Sequence, residues 1–295
     1  MMEIILKTND SGAKMIIDFH THTFPDKIAD LAVKKLSNSG HIPYFSNGTA
    51  AGLKASMRKA GIDYSVVLPV ATNPLKLNSM NSVSIELNGK DNLIYFGAMH
   101  PDAPDWKEEL SRIAENGIKG IKIHPVYQGV DIDDVRYLKI LEYAAELGLI
   151  VLMHAGDDIG FPGEVRCSPK MIANALRQVG DIKIILAHMG GWKNWKEVEY
   201  YLAPTSAMLD TAFSLGKITP LDNTFSKEFL NLLDEENFLN LVDAFGSDRI
   251  LFGTDSPWTD QKQSLDLIKN LPLGEDEKAK ILGENALKLL GESYV

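Results

Sequence analysis

The sequence predicts an α/β fold, a single (β/α)8 TIM barrel with an inserted loop and helical segment after the first strand. Short apolar runs alternate with segments of helical periodicity along the whole chain. A length of 295 residues suits such a barrel, which typically takes about 250 residues. The chain also lacks a Gly-rich dinucleotide fingerprint and a Walker loop, which disfavours an open doubly wound sheet.

Eight apolar runs are predicted as strands, because parallel strands are buried on both faces. In chain order they are Met15–His20, Tyr64–Pro69, Leu93–Met99, Gly120–His124, Leu149–His154, Lys183–His188, Ala207–Thr211 and Ile250–Gly253. The clearest helix runs from Ile132 to Leu147, with Asp131 as its N-cap and Gly148 as its C-terminal stop. Residues 24–60 exceed a single crossover and are predicted as an insertion near the barrel mouth. Residues 1–295 are predicted as one domain.

The net charge and the cysteine content limit the classes of partner and the location that are expected. The formal charge of −10 argues against a nucleic acid or an anionic membrane surface as partner, which leaves a small molecule. Cys167 is the only cysteine, so an internal disulfide is excluded and a cytoplasmic location is expected. Apolar runs such as Leu149–Met153 are too short to cross a bilayer. Assembly into a homo-oligomer stays open.

Histidines gather at the predicted strand ends. His20 and His22 follow the first strand, and residues two apart on a strand share a face. His154 ends the fifth strand, His188 the sixth, and Asp255 follows the eighth. Active sites of such barrels lie at the carboxyl ends of the strands. Three or four ligands with an open position are typical of catalytic zinc, which lowers the pKa of its water to about 7.

Period-two counting tests whether the strand-end groups face inwards together. It places Ile184, Leu186 and His188 on one face of the sixth strand. It likewise places Lys122 and His124 on one face of the fourth strand. All the candidate side chains at the strand ends could therefore point into the barrel together.

Five motifs carry a family resemblance. They are Asp18–His22, Gly117–Pro125, Val151–Gly156, Ile184–Gly191 and Ile250–Pro257. The motifs occur in the order typical of the family and span most of the chain. Through them the sequence resembles the amidohydrolase superfamily. Within it, the sequence resembles the amidohydrolase 2 group, related to aminocarboxymuconate semialdehyde decarboxylase.

The resemblance implies roles for particular residues. His20, His22, His154 and Asp255 would bind one divalent ion, most often zinc. Asp255 would also accept a proton from the water on the ion, and His188 would orient or polarise the substrate. Both are therefore predicted as catalytic.

Four further residues are predicted to contact the substrate. Lys122 and His124 are expected to line the pocket and bind a substrate anion, with His100 beside them. Arg166, after the fifth strand, could pair with a substrate carboxylate. In some superfamily members a carboxylated lysine on the fourth strand bridges two metals, so a second ion held by Lys122 is the alternative.

The leading prediction is a metal-dependent hydrolase that opens an amide, lactone or ester bond of a small molecule, with carboxylate-bearing substrates favoured. The alternative is a metal-dependent non-oxidative decarboxylase of an aromatic or unsaturated acid. A related phosphodiesterase or nuclease is disfavoured, because such enzymes place a glutamate where this chain has Lys122-Ile123-His124. A non-catalytic barrel is the remaining, least supported reading.

Overall fold

A computed structural model describes residues 14–291 and shows parallel strands surrounded by helices. The strands are β1 (Ile17–Thr21), β2 (Tyr64–Val67), β3 (Leu93–Tyr95), β4 (Gly97–Ala98), β5 (Gly120–Ile123), β6 (Ile150–Met153), β7 (Ile184–Leu186), β8 (Met208–Asp210) and β9 (Ile250–Leu251). The helices are α1 (Asp26–Gly40), α2 (Ala50–Ala60), α3 (Leu77–Leu87), α4 (Trp106–Glu115), α5 (Pro125–Gln128), α6 (Val135–Glu146), α7 (Pro169–Val179), α8 (Trp195–Leu202), α9 (Glu235–Phe245), α10 (Gln261–Asn270), α11 (Glu275–Ala279) and α12 (Asn285–Leu290).

The strands pair in parallel in chain order, β1 to β3 and β4 to β9. Strands β3 and β4 are two halves of the predicted third strand, interrupted at Phe96. The amide of Phe19 donates to the carbonyl of Phe252, and the amide of Asp255 to that of His20, both at 2.8 Å. These bonds connect the end of β9 to β1, so the α/β barrel fold is confirmed.

Alternate side chains of the strands fill two different layers. The barrel interior is formed by Ile17, Phe19, Val66, Leu68, Ile94, Phe96, Ile150, Leu152, Ile185, Ala187 and Leu251. Ala286, Leu287 and Leu290 of α12 extend this cluster at the end where the strands begin. Ile121, Ile123, Val151 and Met153 instead pack in the layer between strands and helices. The polar mouth is therefore at the opposite, carboxyl end.

Helix α6 begins later than the sequence predicts. Its N-cap is Asp134, whose carboxylate accepts from the amide of Arg136 at 2.9 Å, whereas Asp131 pairs with Arg166. The cap is displaced because the backbone needs an extended residue immediately before the first turn, and Asp134 has ψ 142°. Gly148 has a φ of 68° just beyond the helix, as a C-terminal stop requires.

Residues 24–60 contain α1 and α2, joined by a segment that lies at the mouth. Helix α2 leads into β2 and packs against α10, so it serves as an ordinary crossover helix. The extra chain is therefore α1 and the segment after it. The amide of Phe45 donates to the carbonyl of Pro257 at 2.8 Å, which places this segment beside the loop after β9.

None of the helices in residues 14–291 combines the length and the apolar composition that a bilayer crossing requires.

Candidate metal centre

The polar residues at the carboxyl ends of β1 and β5 to β9 converge at the barrel mouth. The buried members are His20, Lys122, His124, His154, His188, Asp210 and Asp255, and the His22 side chain is 13% exposed. A catalytic constellation at this end is the usual arrangement in barrels of this kind.

A bulge in β1 directs His20 towards the centre. Ile17 and Phe19 both point into the barrel interior, so strict alternation would turn His20 outwards. The pairing of β1 with β2 shifts register between Asp18 and Thr21, as a β-bulge does. His20 consequently faces Lys122 on β5, with 3.2 Å between its Nε2 and the lysine Nζ.

Left-handed backbone angles direct two further side chains, those of His188 and Asp255, towards the centre. The predicted common face of Ile184, Leu186 and His188 is wrong, because Ile184 and Leu186 pack towards the helices. His188 lies in a turn with a φ of 60°, and Asp255 has a φ of 66°. A positive φ is uncommon for such residues and re-aims the side chain independently of strand alternation.

The two histidines of β1 have tautomers fixed by their neighbours. His20 Nδ1 donates to the Asp210 carboxylate at 2.8 Å, and His22 Nδ1 donates to the Leu68 carbonyl at 2.7 Å. Both Nε2 atoms therefore carry lone pairs, as metal-binding imidazoles require. The second ring nitrogen is held by a carboxylate or carbonyl, which is the usual surrounding of a metal-binding histidine.

These lone pairs meet the carboxylate of Asp255. Its Oδ1 lies 3.1 Å from His22 Nε2 and 3.5 Å from His20 Nε2. Ligands bound at 2.0–2.2 Å to a tetrahedral zinc lie about 3.4 Å apart. His20, His22 and Asp255 thus have the donor chemistry and the spacing that suit a divalent ion.

His154 lies beside this group, in contact with His188. His154 Nε2 donates to the Asp157 carbonyl at 2.9 Å, and His188 Nδ1 donates to the Ala212 carbonyl at 2.9 Å. The free nitrogens, His154 Nδ1 and His188 Nε2, face each other at 3.1 Å. His154 therefore has one nitrogen free for an ion, although the close group formed by His20, His22 and Asp255 does not include it.

A second cluster contains His124, His154 and Asp158, but its geometry does not suit an ion. The two imidazole rings stack with centroids 4.0 Å apart and planes 12° apart, so their in-plane lone pairs lie in two nearly parallel planes. Neither lone pair could then point at an ion between them. His124 Nδ1 also accepts from the Tyr127 amide, which leaves the hydrogen on its Nε2.

Burial controls the charges of the centre. It lowers the pKa of His20, His124 and His154 well below the usual histidine value, so these rings are neutral. Burial also lowers the pKa of the Lys122 ammonium, while Asp210 and Asp255 act in the opposite direction. Neutral imidazoles are the form that binds metal ions.

The remaining predicted residues lie in different surroundings. His100 is buried, and its Nδ1 accepts from the Asp102 amide at 3.1 Å, within its own turn. Arg166 Nη1 lies 3.1 Å from Asp131, and its Nη2 lies 3.6 Å from Glu164. The structure thus brings Lys122 and His124 to the centre, whereas Arg166 is engaged by acidic residues beside it.

Two carboxylates at the centre were missed from the sequence. Asp210 accepts from His20, from the amide of His188 at 2.9 Å and from the amide of Ala212 at 3.0 Å. It ends an apolar strand, so the rule that selected the histidines would also have selected it. Asp158 lies in an irregular loop after β6, and no periodicity marks it.

Comparison with known families gives a match over nearly the whole barrel. The family model described as Amidohydrolase matches residues 17–291. A 2-amino-3-carboxymuconate-6-semialdehyde decarboxylase from Dictyostelium discoideum is 28% identical over 210 residues, which are 62% of this chain and 56% of that protein. A dihydroorotase from Helicobacter pylori is 27% identical over 258 residues, 81% of this chain and 68% of that protein.

Solved structures share the fold at low identity. An uncharacterized TIM-barrel protein from Bordetella bronchiseptica has a TM-score of 0.73 and 18% identity, covering 94% of this chain and 98% of its own. A 2,6-dihydroxybenzoate decarboxylase from Rhizobium has a TM-score of 0.66 and 16% identity, covering 94% and 98%. At this identity the likeness concerns the fold alone.

Proposed function

Because the chain belongs to the amidohydrolase family, we propose that it is a metal-dependent hydrolase of a small, carboxylate-bearing molecule. The bond opened is an amide, a lactone or another ester. The observation that carries this proposal is the convergence of His20, His22 and Asp255, with two tautomer-fixed lone pairs directed at one carboxylate.

His20, His22 and Asp255 would hold one ion, zinc in this proposal, with His154 as the fourth ligand. A bound divalent ion supplies Lewis acidity, which activates water and polarises a carbonyl oxygen. The Asp210 and Leu68 oxygens keep both β1 imidazoles in the binding tautomer. A single ion is proposed because the cluster of His124, His154 and Asp158 has stacked rings.

Asp255 and His188 would move and stabilise charge. Asp255 is the carboxylate closest to both β1 lone pairs, so it is placed to accept a proton from water there. His188 donates through Nδ1 to Ala212, so its Nε2 can hold a developing oxyanion only after protonation. Burial lowers the pKa of His188, while the negative charge of Asp255 opposes this effect.

Lys122 and His124 would recognise a substrate anion. The Lys122 side chain is 1% exposed and its Nζ donates to His20 Nε2, the same lone pair that an ion would take. An ammonium that loses this acceptor in a buried site needs another one. A carboxylate of the substrate would satisfy it, and this supports a carboxylate-bearing substrate.

Non-oxidative decarboxylation of an aromatic or unsaturated acid is the second candidate. The likeness to the Dictyostelium decarboxylase favours it. The family resemblance implies the same ligand set for both reactions. The chain spans 56% of that relative's length, so the relative's activity is carried over here only as a proposal.

The location and partners follow from composition. We place the protein in the cytoplasm because its single cysteine, Cys167, is buried and free. A net charge of −10 supports a small-molecule substrate rather than a nucleic acid.

Product analysis tests the two reactions against each other. Metal-stripped and zinc-loaded protein are each incubated with four compounds, chosen from the names of similar proteins and structures. The compounds are dihydroorotate, 2-pyrone-4,6-dicarboxylate, 2,6-dihydroxybenzoate and 5-carboxyvanillate. Zinc-dependent ring opening without release of carbon dioxide is expected. Zinc-dependent release of carbon dioxide would establish the decarboxylase, and equal turnover by stripped protein would exclude both proposals.

A further inference from the structure

A recess lies on the outer side of the barrel wall, between the ends of β8 and β9 and helix α10. Thr211, just after β8, and Gly253, just after β9, line its inner side. Its other walls come from the segment after α1, the loop after β8, and α10 with the turn before it. The apolar wall residues include Ile42, Phe45, Phe213, Ile218, Trp258 and Leu267. One water needs about 10–15 Å³ of such space, so the recess, at about 90 Å³, accommodates several waters or a small organic molecule.

This recess is separate from the metal centre. None of the close group formed by His20, His22 and Asp255 lines it. A Cβ at Gly253 would lie 2.9 Å from the His20 Cβ, so the centre is on the inner side of Gly253. Ile268 of α10, which packs in the layer between strands and helices, lines the recess instead. The backbone at the strand ends therefore stands between the recess and the centre.

The apolar walls of the recess are partly open to solvent. Phe45 and Leu267 are each 43% exposed, although both are large apolar side chains. Exposed apolar side chains around a concave site are typical of ligand-binding sites. The limited volume favours a single ring or a short chain as the ligand, rather than the surface of another protein.

The charges of the recess favour an anionic ligand. Lys217 and Asp260 are the charged residues that line it. Asp260 is engaged, because its Oδ1 accepts from the Gln263 amide at 3.0 Å and its Oδ2 lies 3.4 Å from Lys59 Nζ. Lys217 is exposed, and no group in residues 14–291 forms an ion pair with its ammonium. The recess therefore presents an available positive charge beside its apolar walls.

We propose that this recess is a second binding site, which takes a small molecule with one apolar ring or short chain and one carboxylate. The apolar part would pack among Phe45, Trp258 and Leu267, and the carboxylate would pair with Lys217. Apolar walls with a few placed polar groups are the usual composition of a small-molecule site. The proposal does not depend on the proposed function, because no group of the metal centre takes part.

A matched pair of probes tests the proposal by binding alone. Benzoate carries a ring and a carboxylate, and benzamide has nearly the same shape without the charge. Calorimetry with zinc-loaded wild-type protein is expected to give a Kd for benzoate of about 1 mM or tighter. Benzamide should bind about three- to tenfold more weakly, because it lacks the charge-assisted contact. In Lys217→Ala this preference should fall below about twofold, with benzamide affinity unchanged.

A second variant tests the location of the bound probe. Leu267→Trp places a larger side chain in the recess and should weaken benzoate binding at least about tenfold. Benzoate held by the zinc ion instead would bind this variant as tightly as the wild type, and that result would overturn the proposal. If Leu267→Trp does not fold, Phe45→Ala, which removes one wall, should weaken benzoate at least about threefold.

Control variants alter the same loop outside the recess. Leu221→Trp adds an indole at a residue that is 53% exposed, and Lys227→Ala removes a surface lysine. Neither residue lines the recess, so both variants should keep the wild-type affinities and preference. The same losses in these controls, an unchanged preference in Lys217→Ala, or a wild-type Kd for benzoate above about 10 mM would contradict the proposal. Because no turnover is measured, failure of the proposed hydrolysis gives a separate result.

Discussion

The role of His20 depends on three other residues at the centre. Asp210 fixes its tautomer, Lys122 donates to its free nitrogen and Asp255 faces the same atom. From the sequence, the spacing of His20 and His22 indicated a pair of ligands. The bulge that turns His20 inwards and the left-handed φ of His188 were not predictable, because local backbone angles leave no periodic signal.

Replacing Asp210 tests whether this residue fixes the tautomer of His20. Asp210→Asn removes the carboxylate that holds His20, so zinc affinity should fall about 10- to 100-fold. Competition with a chromophoric chelator measures this affinity. Asp222→Asn is a matched control, since Asp222 holds the surface residue His41 through the same Nδ1 contact at 2.8 Å. Equal zinc affinity in the two variants would contradict the assigned role of Asp210.

Replacing Lys122 distinguishes its two proposed roles. As a substrate contact, Lys122→Met should raise KM for a carboxylate substrate about 10- to 100-fold, because a charge-assisted hydrogen bond is lost. The variant should still bind one zinc. If Lys122 instead bridges two ions, the wild type would bind two equivalents and the variant fewer, as elemental analysis would reveal.

At the scale of elements, β1 is attached to the segment after β9 by a buried hydrogen-bond network. The Asp18 carboxylate accepts from the Thr254 hydroxyl at 2.6 Å and from Gln261 Nε2 at 2.7 Å. Thr254 directly precedes Asp255. The network therefore keeps the two chain segments that carry His20 and Asp255 in a fixed relation.

The shifted pKa of Asp18 makes the stability of the fold depend on pH. Burial raises its pKa to about 6, above the ordinary 3.8. Between these pH values the folded protein retains a proton that the unfolded chain has lost. This contribution to the unfolding free energy is therefore full below about pH 4 and decreases as the pH rises through about 6, by up to about 3 kcal/mol. Urea unfolding at several pH values should show this decrease in wild type relative to Asp18→Asn. Parallel pH profiles would contradict it.

Close packing between β1 and the segment after β9 gives a further prediction. A Cβ at Gly253 would lie 2.9 Å from the His20 Cβ and 3.5 Å from the Asp210 Cβ. Gly253→Ala should therefore displace His20, weaken zinc binding and reduce the unfolding free energy by about 1–3 kcal/mol. Gly274→Ala is the control, because its nearest neighbour is the flexible end of Glu277. The same loss in both variants would argue against a specific effect on His20.

For the whole molecule, the barrel was predictable from the sequence. So was most of the division of strand side chains between the barrel interior and the layer below the helices. Parallel strands are apolar on both faces, which made runs such as Leu149–His154 visible in the sequence. The interruption of the third strand at Phe96 was not visible, because the run remains apolar throughout. Asp158 could not be found either, since a loop position acquires its partners only when β5 and β6 are packed side by side.

The most direct test of the central claim is zinc titration of metal-stripped protein, followed by the initial rate on the substrate identified by product analysis. The account predicts that activity rises in proportion to bound zinc and saturates at one equivalent. His22→Gln and Asp255→Asn should neither bind zinc with comparable affinity nor recover activity, because the first lacks the imidazole nitrogen and the second lacks the negative charge of the carboxylate. Full activity in the stripped wild type, or saturation at one equivalent in both variants, would contradict the assignment of this centre.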